Sequence, residues 1–204
     1  MKPQSQTAGI ILAAGESVRF GRSKQLLKLK DKYLIEWVLD AALGSCLKTV
    51  VLVLGYEHQA ILQALGTKTE HPSLRIIINP DYRCGQSTSL KAGLLSVRHS
   101  FGAVMYLLGD QPLVSAEIID RMLDQFEQSE KEICVPVYKG QRGNPVIFRR
   151  SFFDDLMQVS GDIGARNIIS DNSERTHYLK IDNPMWFFDI DTGEDLDYLL
   201  ARLA

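Results

Sequence analysis

Cysteine is scarce in this sequence: Cys46, Cys84 and Cys134 lie far apart, and no C-x-x-C pair occurs. An odd, scattered set reads as reduced thiols in a cytoplasmic protein rather than a disulfide framework. His58, His71, His99 and His177 keep no metal-ligand spacing, which argues against structural zinc. Long apolar runs are missing too. Val50 to Leu54 and Ala103 to Leu108 are the longest, far below the ~18 residues of a membrane span. Met1 to Ala8 is polar and has no signal-peptide h-region. There is no basic surplus either. Lys plus Arg number 23 and Asp plus Glu 25, so the net charge is −2. That balance argues against a nonspecific nucleic-acid binder, although one local basic pocket stays open. No repeat, low-complexity tract or Pro/Ser-rich linker breaks the chain. With 204 residues, 45% of them hydrophobic, it suits one well-formed core, so residues 1–204 are expected to form one domain.

What is present is alternation. Ala8 to Leu12 is a short apolar run of the kind that forms a strand covered on both faces. A glycine-marked loop, Ala13 to Leu27, follows. Leu34, Ile35, Val38, Leu39 and Ala42 recur at helical spacing, and Gly44 ends that segment. Val50 to Leu54, Leu74 to Ile78 and Ala103 to Leu108 read as further strands. Glu57 to Leu65, Ser87 to Val97 and a segment from Ser115 to about Phe126 read as helices. Later strands are expected at Ile133 to Val137, Pro145 to Phe148, His177 to Ile181 and Trp186 to Ile190. Later helices are expected at Phe153 to Met157, Ala165 to Ser170 and Glu194 to Leu203. Repeated β–α units with continuous apolar strands predict an α/β fold, its mostly parallel sheet flanked by helices. Ligands of such sheets bind at the carboxyl ends of the strands.

That rule points to the loop after Leu12, the loop after Ile78 and Gly109-Asp110, and further polar features lie elsewhere along the chain. The first loop, from Leu12, is rich in small residues, among them Ala13, Ala14, Gly15 and Ser17, so backbone N–H groups could cradle an anion. Arg19 and Lys24 add a guanidinium fork and a movable ammonium, a pair suited to a polyphosphate. The loop is not a Walker A motif, because Gly15 and Gly21 are one residue too far apart and Arg22 follows. It is not a G-x-G-x-x-G turn either. Gly109-Asp110-Gln111-Pro112 closes the Ala103 to Leu108 strand, and Asp110 is a hard oxygen ligand suited to Mg²⁺ beside a phosphate. An Asx-turn is the plainer role for it. Asp189 and Asp191 would share one face of the expected last strand, where a cation relieves their repulsion. Thr192 and Asp195 fit a capping box for the closing helix. Gly85, Ser87, Thr88 and Ser89 open a helix whose hydroxyls and N–H groups suit a nucleobase edge or a phosphate, or simple capping by Ser87. Gly143-Asn144-Pro145 and Gly161 to Arg166 are polar turns that could wall a second substrate.

Together these pieces resemble the NTP transferases of molybdenum-cofactor maturation, most nearly the cytidylyltransferase type. The matching stretches are LAAGESVRFGRSKQLL (12–27), GQSTSLKAGL (85–94), GDQP (109–112), GNPVIF (143–148), GDIGAR (161–166) and DIDTGEDL (189–196), in family order. The resemblance implies a three-layer, Rossmann-like nucleotide-diphospho-sugar transferase fold. It implies that Leu12 to Gly15, Ser17, Arg19 and Lys24 hold a nucleoside triphosphate, with Gly85 and Ser87 to Ser89 near the base. It implies Asp110 on Mg²⁺, with Asp189 or Asp191 completing the shell, and Arg19, Lys24 and Asp110 as the catalytic set. Asn144, Pro145, Asp162, Gly164 and Arg166 would face the acceptor, molybdenum cofactor. Guanylyl-transferring relatives carry Gly-Gly where this chain has Ala14-Gly15, which favours CTP. Gln86, Lys28, Asp31 and Gly193 depart from the family pattern, the last three at turns. The expected reaction moves CMP from CTP to the terminal phosphate of the cofactor and releases pyrophosphate. A molybdenum hydroxylase apoenzyme would receive the product, and neither nucleic acid nor a membrane is an expected partner. The alternatives are GTP as donor, a sugar or alcohol phosphate as acceptor, or a carrier of the cofactor to a xanthine-dehydrogenase-like enzyme.

Overall fold

The structure is a computed structural model that describes residues 6–17, 23–162 and 164–203. The first strand, β1 (Thr7–Ala13), is almost wholly buried. After the first loop comes a small hairpin, β2 (Lys28–Leu29) and β3 (Lys32–Tyr33), which the apolar pattern does not announce. Then α1 (Leu34–Leu43), β4 (Thr49–Leu54), α2 (His58–Leu65) and β5 (Leu74–Ile78) alternate. The chain continues through α3 (Gln86–Val97), β6 (Ala103–Leu108), α4 (Ala116–Gln128), β7 (Ile133–Tyr138), β8 (Gln141–Arg142) and β9 (Val146–Arg149). It ends with α5 (Phe153–Gln158), α6 (Arg166–Asp171), β10 (Thr176–Lys180) and α7 (Gly193–Leu203).

The sheet order is β10-β7-β9-β6-β1-β4-β5, with β8 paired to β7. Strands β1, β4, β5 and β6 run parallel, as do β7 and β10. Strand β9 is antiparallel to both β6 and β7. The mostly parallel α/β sheet expected from the alternation is therefore what forms.

From β1 the chain moves outward to β4 and β5, then returns to lay β6 on the other side of β1. Right-handed crossovers place helices on opposite faces when the direction reverses. Accordingly α1 and α2 cover one face through residues such as Ile35, Leu39 and Ile61. Helix α4 joins them through Met122 and Phe126, although the step from β6 to β7 runs in the same direction as that from β5 to β6, so this one crossover departs from the rule. Helices α3, α5 and α6 cover the other through Leu90, Leu94, Leu156 and Ile169. Each fully buried aliphatic side chain of this kind contributes roughly 1.5–3 kcal/mol relative to exposure. Gly93 lets α3 sit directly on the sheet, because a Cβ there would strike Ile10. The reversal leaves a crevice beyond the carboxyl ends of β1 and β6.

The expected strand at Trp186 to Ile190 does not form. Asn183 caps a short 3-10 turn, Pro184–Phe187, through its side chain, and extended chain follows. Pro184 lacks the N–H a ladder needs, and Asn183 supplies a local partner instead. The apolar residues here are buried all the same. Ile190 and α7's Leu199 pack with Leu27, Leu29 and Leu34 in a third cluster that closes over the hairpin. Among the described residues, no helix is long and apolar enough to cross a membrane.

Candidate active site

The parallel register sets Leu12 beside Leu108. One step further, Gly109 donates its N–H to the Leu12 carbonyl at 3.0 Å. A Cβ at Gly109 would lie 2.9 Å from the Ala13 Cβ. The glycine therefore lets the two strand ends stay together, and Asp110 emerges directly opposite the first loop. A cleft of about 410 Å³ opens between them. Its walls include Leu12, Ala13, Ala14, Gly15, Ser17, Lys24, Ser89, Asp110, Asp162 and Asp191.

Lys24 sits at the centre of the charges. Its Nζ donates to Asp110 Oδ2 at 2.5 Å and to Asp191 Oδ1 at 3.0 Å. Burial works against the ammonium, but the charge and hydrogen bond of Asp110, and then those of Asp191, outweigh it and raise the Lys24 pKa. The base of the side chain is fixed: Lys24 N–H donates to Ser17 Oγ at 3.1 Å, and the Lys24 carbonyl accepts from Leu27 N–H at 3.0 Å. The other oxygen of Asp110, Oδ1, is buried without a hydrogen-bond partner.

Asp191 reaches the cleft for a reason other than strand alternation. Ile190, fully buried, donates its N–H to the Asp110 carbonyl at 3.1 Å. Immediately after it, the Asp195 carboxylate accepts from Asp191 N–H, Thr192 N–H and Thr192 Oγ1. Asp195 N–H donates back to Thr192 Oγ1, so the capping box at the start of α7 is present. Asp189 parts company with its neighbour and accepts from Gln111 Nε2 at 2.7 Å. One edge of Asp189 stays open, yet its carboxyl is hemmed in. Burial first, and the charge of Asp110 second, push its pKa up to about 6. Among the described residues no three His, Cys, Asp or Glu side chains gather into a ready-made metal cluster. Asp110 and Asp191 offer hard oxygens from two carboxylates, the number Mg²⁺ commonly takes alongside substrate phosphates.

The start of α3 corrects a second expectation. Its first N–H groups are not free. Gln86 N–H donates to Asp162 Oδ1 at 2.9 Å, and Ser87 N–H donates to the Gly161 carbonyl at 3.1 Å. Ser87 does not cap the helix; Gly85 holds the cap position at φ +102°. A Cβ on Gly85 would lie 2.8 Å from the Gly161 carbonyl carbon, so the loop at 161–162 fits only against glycine. Asn79 Nδ2 donates to both Thr88 Oγ1 and Ser89 Oγ, each at 2.9 Å. Of the four residues expected near a base, only Ser89 lines the cleft; Gly85, Ser87 and Thr88 support it.

A smaller hollow of about 100 Å³ adjoins this cleft and shares Leu12, Gln86 and Leu108 with it. Asn144, Gly164 and Arg166 supply part of its wall, above a floor that includes Leu90, Tyr106 and Phe148. Pro145 stands outside it, joined to Asn144 by a cis peptide. Arg19 lies outside the described residues.

Sequence reasoning missed Tyr82 and Gln25, which also line the cleft. Gly55 was the available signal for Tyr82. A Cβ at that strand-end glycine would lie 2.8 Å from the Tyr82 ring and 2.8 Å from the Ala14 carbonyl.

A switch-point cleft with a small-residue loop, a central ammonium and facing carboxylates defines a nucleotide-handling enzyme of the Rossmann-like class, a nucleotidyltransferase. The chain belongs to the MobA-like NTP transferase domain family, which matches residues 9–177. It is 30% identical over 203 residues to the purine catabolism protein PucB of Bacillus subtilis, covering 96% of this chain and 97% of that protein. It is 27% identical over 187 residues to the molybdenum cofactor cytidylyltransferase of Escherichia coli, with 91% of each chain covered. The crystal structure of Rv0371c from Mycobacterium tuberculosis in complex with manganese superposes with a TM-score of 0.79 at 28% identity, covering 97% of this chain and 99% of that one.

Proposed function

We propose that this protein transfers CMP from CTP to the terminal phosphate of molybdenum cofactor, with Mg²⁺ as the working ion. The observation that carries the reading is the meeting of Lys24 with Asp110 and Asp191 across the loop formed by Ala13 to Ser17. A carrier of the cofactor would have no use for that arrangement. The similarity to a cytidylyltransferase supports the donor and the acceptor.

The donor's polyphosphate lies along the first loop, within reach of the Lys24 ammonium. Asp110 and Asp191 are the residues that would hold the metal ion. The orphaned Asp110 Oδ1 fits that role, because a buried carboxylate oxygen without a donor is costly unless a cation satisfies it. When bound, the ion supplies charge neutralisation at the α-phosphate. Asp189 is the weaker candidate ligand, since its carboxylate already serves Gln111.

A phosphate monoester has a second pKa of about 6, so the acceptor is largely ionised near neutrality. No general base is required, and among the described residues no His or Cys lines the cleft. An acceptor phosphate oxygen forms a bond to the α-phosphorus. The α–β bridging P–O bond breaks, and pyrophosphate leaves with the electron pair. Catalysis is then positioning and charge compensation. Lys24 stabilises the charge gathering on the leaving group, while Asn144 and Arg166 orient the acceptor from the adjoining hollow. The apolar floor there excludes water that would compete as nucleophile. The choice of CTP rests on Ala14-Gly15, where guanylyl-transferring relatives carry Gly-Gly. The product would pass to a molybdenum hydroxylase apoenzyme.

The test is pyrophosphate release from ATP, CTP, GTP and UTP, with and without molybdenum cofactor and Mg²⁺. Release that needs the cofactor and is fastest with CTP supports the proposal. Release with a sugar phosphate alone, or from no nucleotide, contradicts it.

A further inference from the structure

Lys24 is placed oddly for a residue whose only task is to hold phosphate. Its ammonium lies between Asp110 and Asp191, the two carboxylates assigned above to the metal ion. A divalent ion that took the two oxygens the ammonium now holds, Asp110 Oδ2 and Asp191 Oδ1, would stand where the ammonium stands. Two cations that close repel, most strongly on the sheltered side of the site, where Lys24 and Asp110 keep 16% and 19% of their side-chain surface exposed against 42% for Asp191. The two therefore exclude each other.

We propose that Lys24 is the resident cation of the metal position, and that it gives up the place only when a nucleoside triphosphate draws the ammonium onto its phosphates. Ion and nucleotide would then enter as a coupled pair rather than independently. This inference rests on the reading of Asp110 as a metal ligand. Lysine is the residue suited to the exchange. Its ammonium is a compact charge on a flexible four-carbon stem, whereas a guanidinium is a rigid fork. The backbone of Lys24 is held at its N–H by Ser17 and at its carbonyl by Leu27, so only the head of the side chain has to move. Where it lies, the ammonium also relieves the repulsion between Asp110 and Asp191. Asp110 Oδ1, buried without a donor, adds a further oxygen for the ion that replaces the ammonium. Linkage makes the effect reciprocal: a nucleotide that removes the ammonium raises affinity for the ion, and the ion raises affinity for the nucleotide by the same factor.

The experiment titrates the full chain with Mn²⁺ in the absence of nucleotide and reads free Mn²⁺ by electron paramagnetic resonance. The proteins compared are wild type, Lys24→Met, Lys24→Gln and the double variant Lys24→Met with Asp110→Asn. Removal of the ammonium is expected to tighten Mn²⁺ binding about tenfold or more, and Asp110→Asn is expected to cancel that gain. Should Lys24→Met fail to fold, Lys24→Gln carries the comparison, since it keeps a polar head without the charge. Unchanged or weaker Mn²⁺ binding in the folded Lys24 variants overturns the inference. So does a gain that survives Asp110→Asn. If the variants gain Mn²⁺ while no triphosphate releases pyrophosphate, the exchange stands and the proposed reaction falls. If pyrophosphate is released and the variants gain nothing, the reverse holds.

Discussion

Gln86 donates its backbone N–H to the carboxylate of Asp162, 76 positions further along the chain, at 2.9 Å. With Ser87 N–H on the Gly161 carbonyl, this bond caps α3 from a distant loop. The same loop borders both the large cleft and the adjoining hollow, through Asp162 in one and Gly164 in the other. The contact ties the wall of the large cleft to that of the adjoining hollow.

Asp162→Ala removes the acceptor for Gln86 N–H and a negative charge at a helix N-terminus. A cost of ~1 kcal/mol is expected, as for other capping losses. Asp162→Asn keeps an acceptor oxygen and should recover most of it. Urea unfolding midpoints of the three proteins measure this; an Asn variant no better than Ala would deny the capping role.

Lys24→Ala and Asp110→Asn each remove a preorganised charge, and each should lower turnover by ~10²–10³. The two differ in one readout. Asp110→Asn should lose saturation with Mg²⁺ over the range that saturates wild type. A normal saturation curve would take Asp110 out of the metal shell.

Gly85→Ala combines two penalties. The φ of +102° is uncomfortable for any residue with a Cβ, and that Cβ would press on the Gly161 backbone. A destabilisation of about 1–3 kcal/mol is expected, with weaker protection of the α3 amides in hydrogen exchange. Unchanged protection would mean that the 161–162 loop yields easily.

Glu132 joins β10, β7 and the turn after β9. It accepts from Arg175 Nε at 2.6 Å and from Ser151 Oγ at 2.6 Å. These hydrogen bonds, the Arg175 one foremost, lower its pKa to about 2 from 4.5. A carboxyl with a depressed folded pKa stabilises fully above its unfolded value and loses that contribution as pH falls through the folded value. Glu132→Gln should therefore unfold more readily than wild type at pH 6, and the gap should close between about pH 4.5 and 2. The group is partly exposed, so added salt should narrow the gap at pH 6 as well. Denaturant midpoints across pH check both trends.

Much of the fold was legible because the strands are buried on both faces. Val50 to Leu54 and Ala103 to Leu108 are continuous apolar runs, and Ser115 accepts from Ile118 N–H as an N-cap in its expected place. The closing helix and its Thr192–Asp195 cap were legible too, but the stretch before them was not. Trp186, Phe187, Phe188 and Ile190 look like a strand, yet Phe187 lies against Gly143 and Ile190 packs on the hairpin, contacts no local pattern encodes. In the site, Lys24 and Asp110 stood out because loop chemistry and strand ends marked them. The capping of α3 by Gly161 and Asp162 did not, since capping signals are read over a few neighbours and this partner comes from the far side of four strands. The apparent free N–H groups at Gln86 and Ser87 were already spoken for.

The most direct measurement follows the phosphorus atom itself. CTP labelled at the α-phosphate is incubated with the protein, molybdenum cofactor and Mg²⁺, and the products are separated. The expected result is label on the pterin product, with one pyrophosphate released per label transferred. Label that stays in CTP, or appears only as free CMP whether or not the cofactor is present, would contradict a nucleotidyl transfer in this cleft.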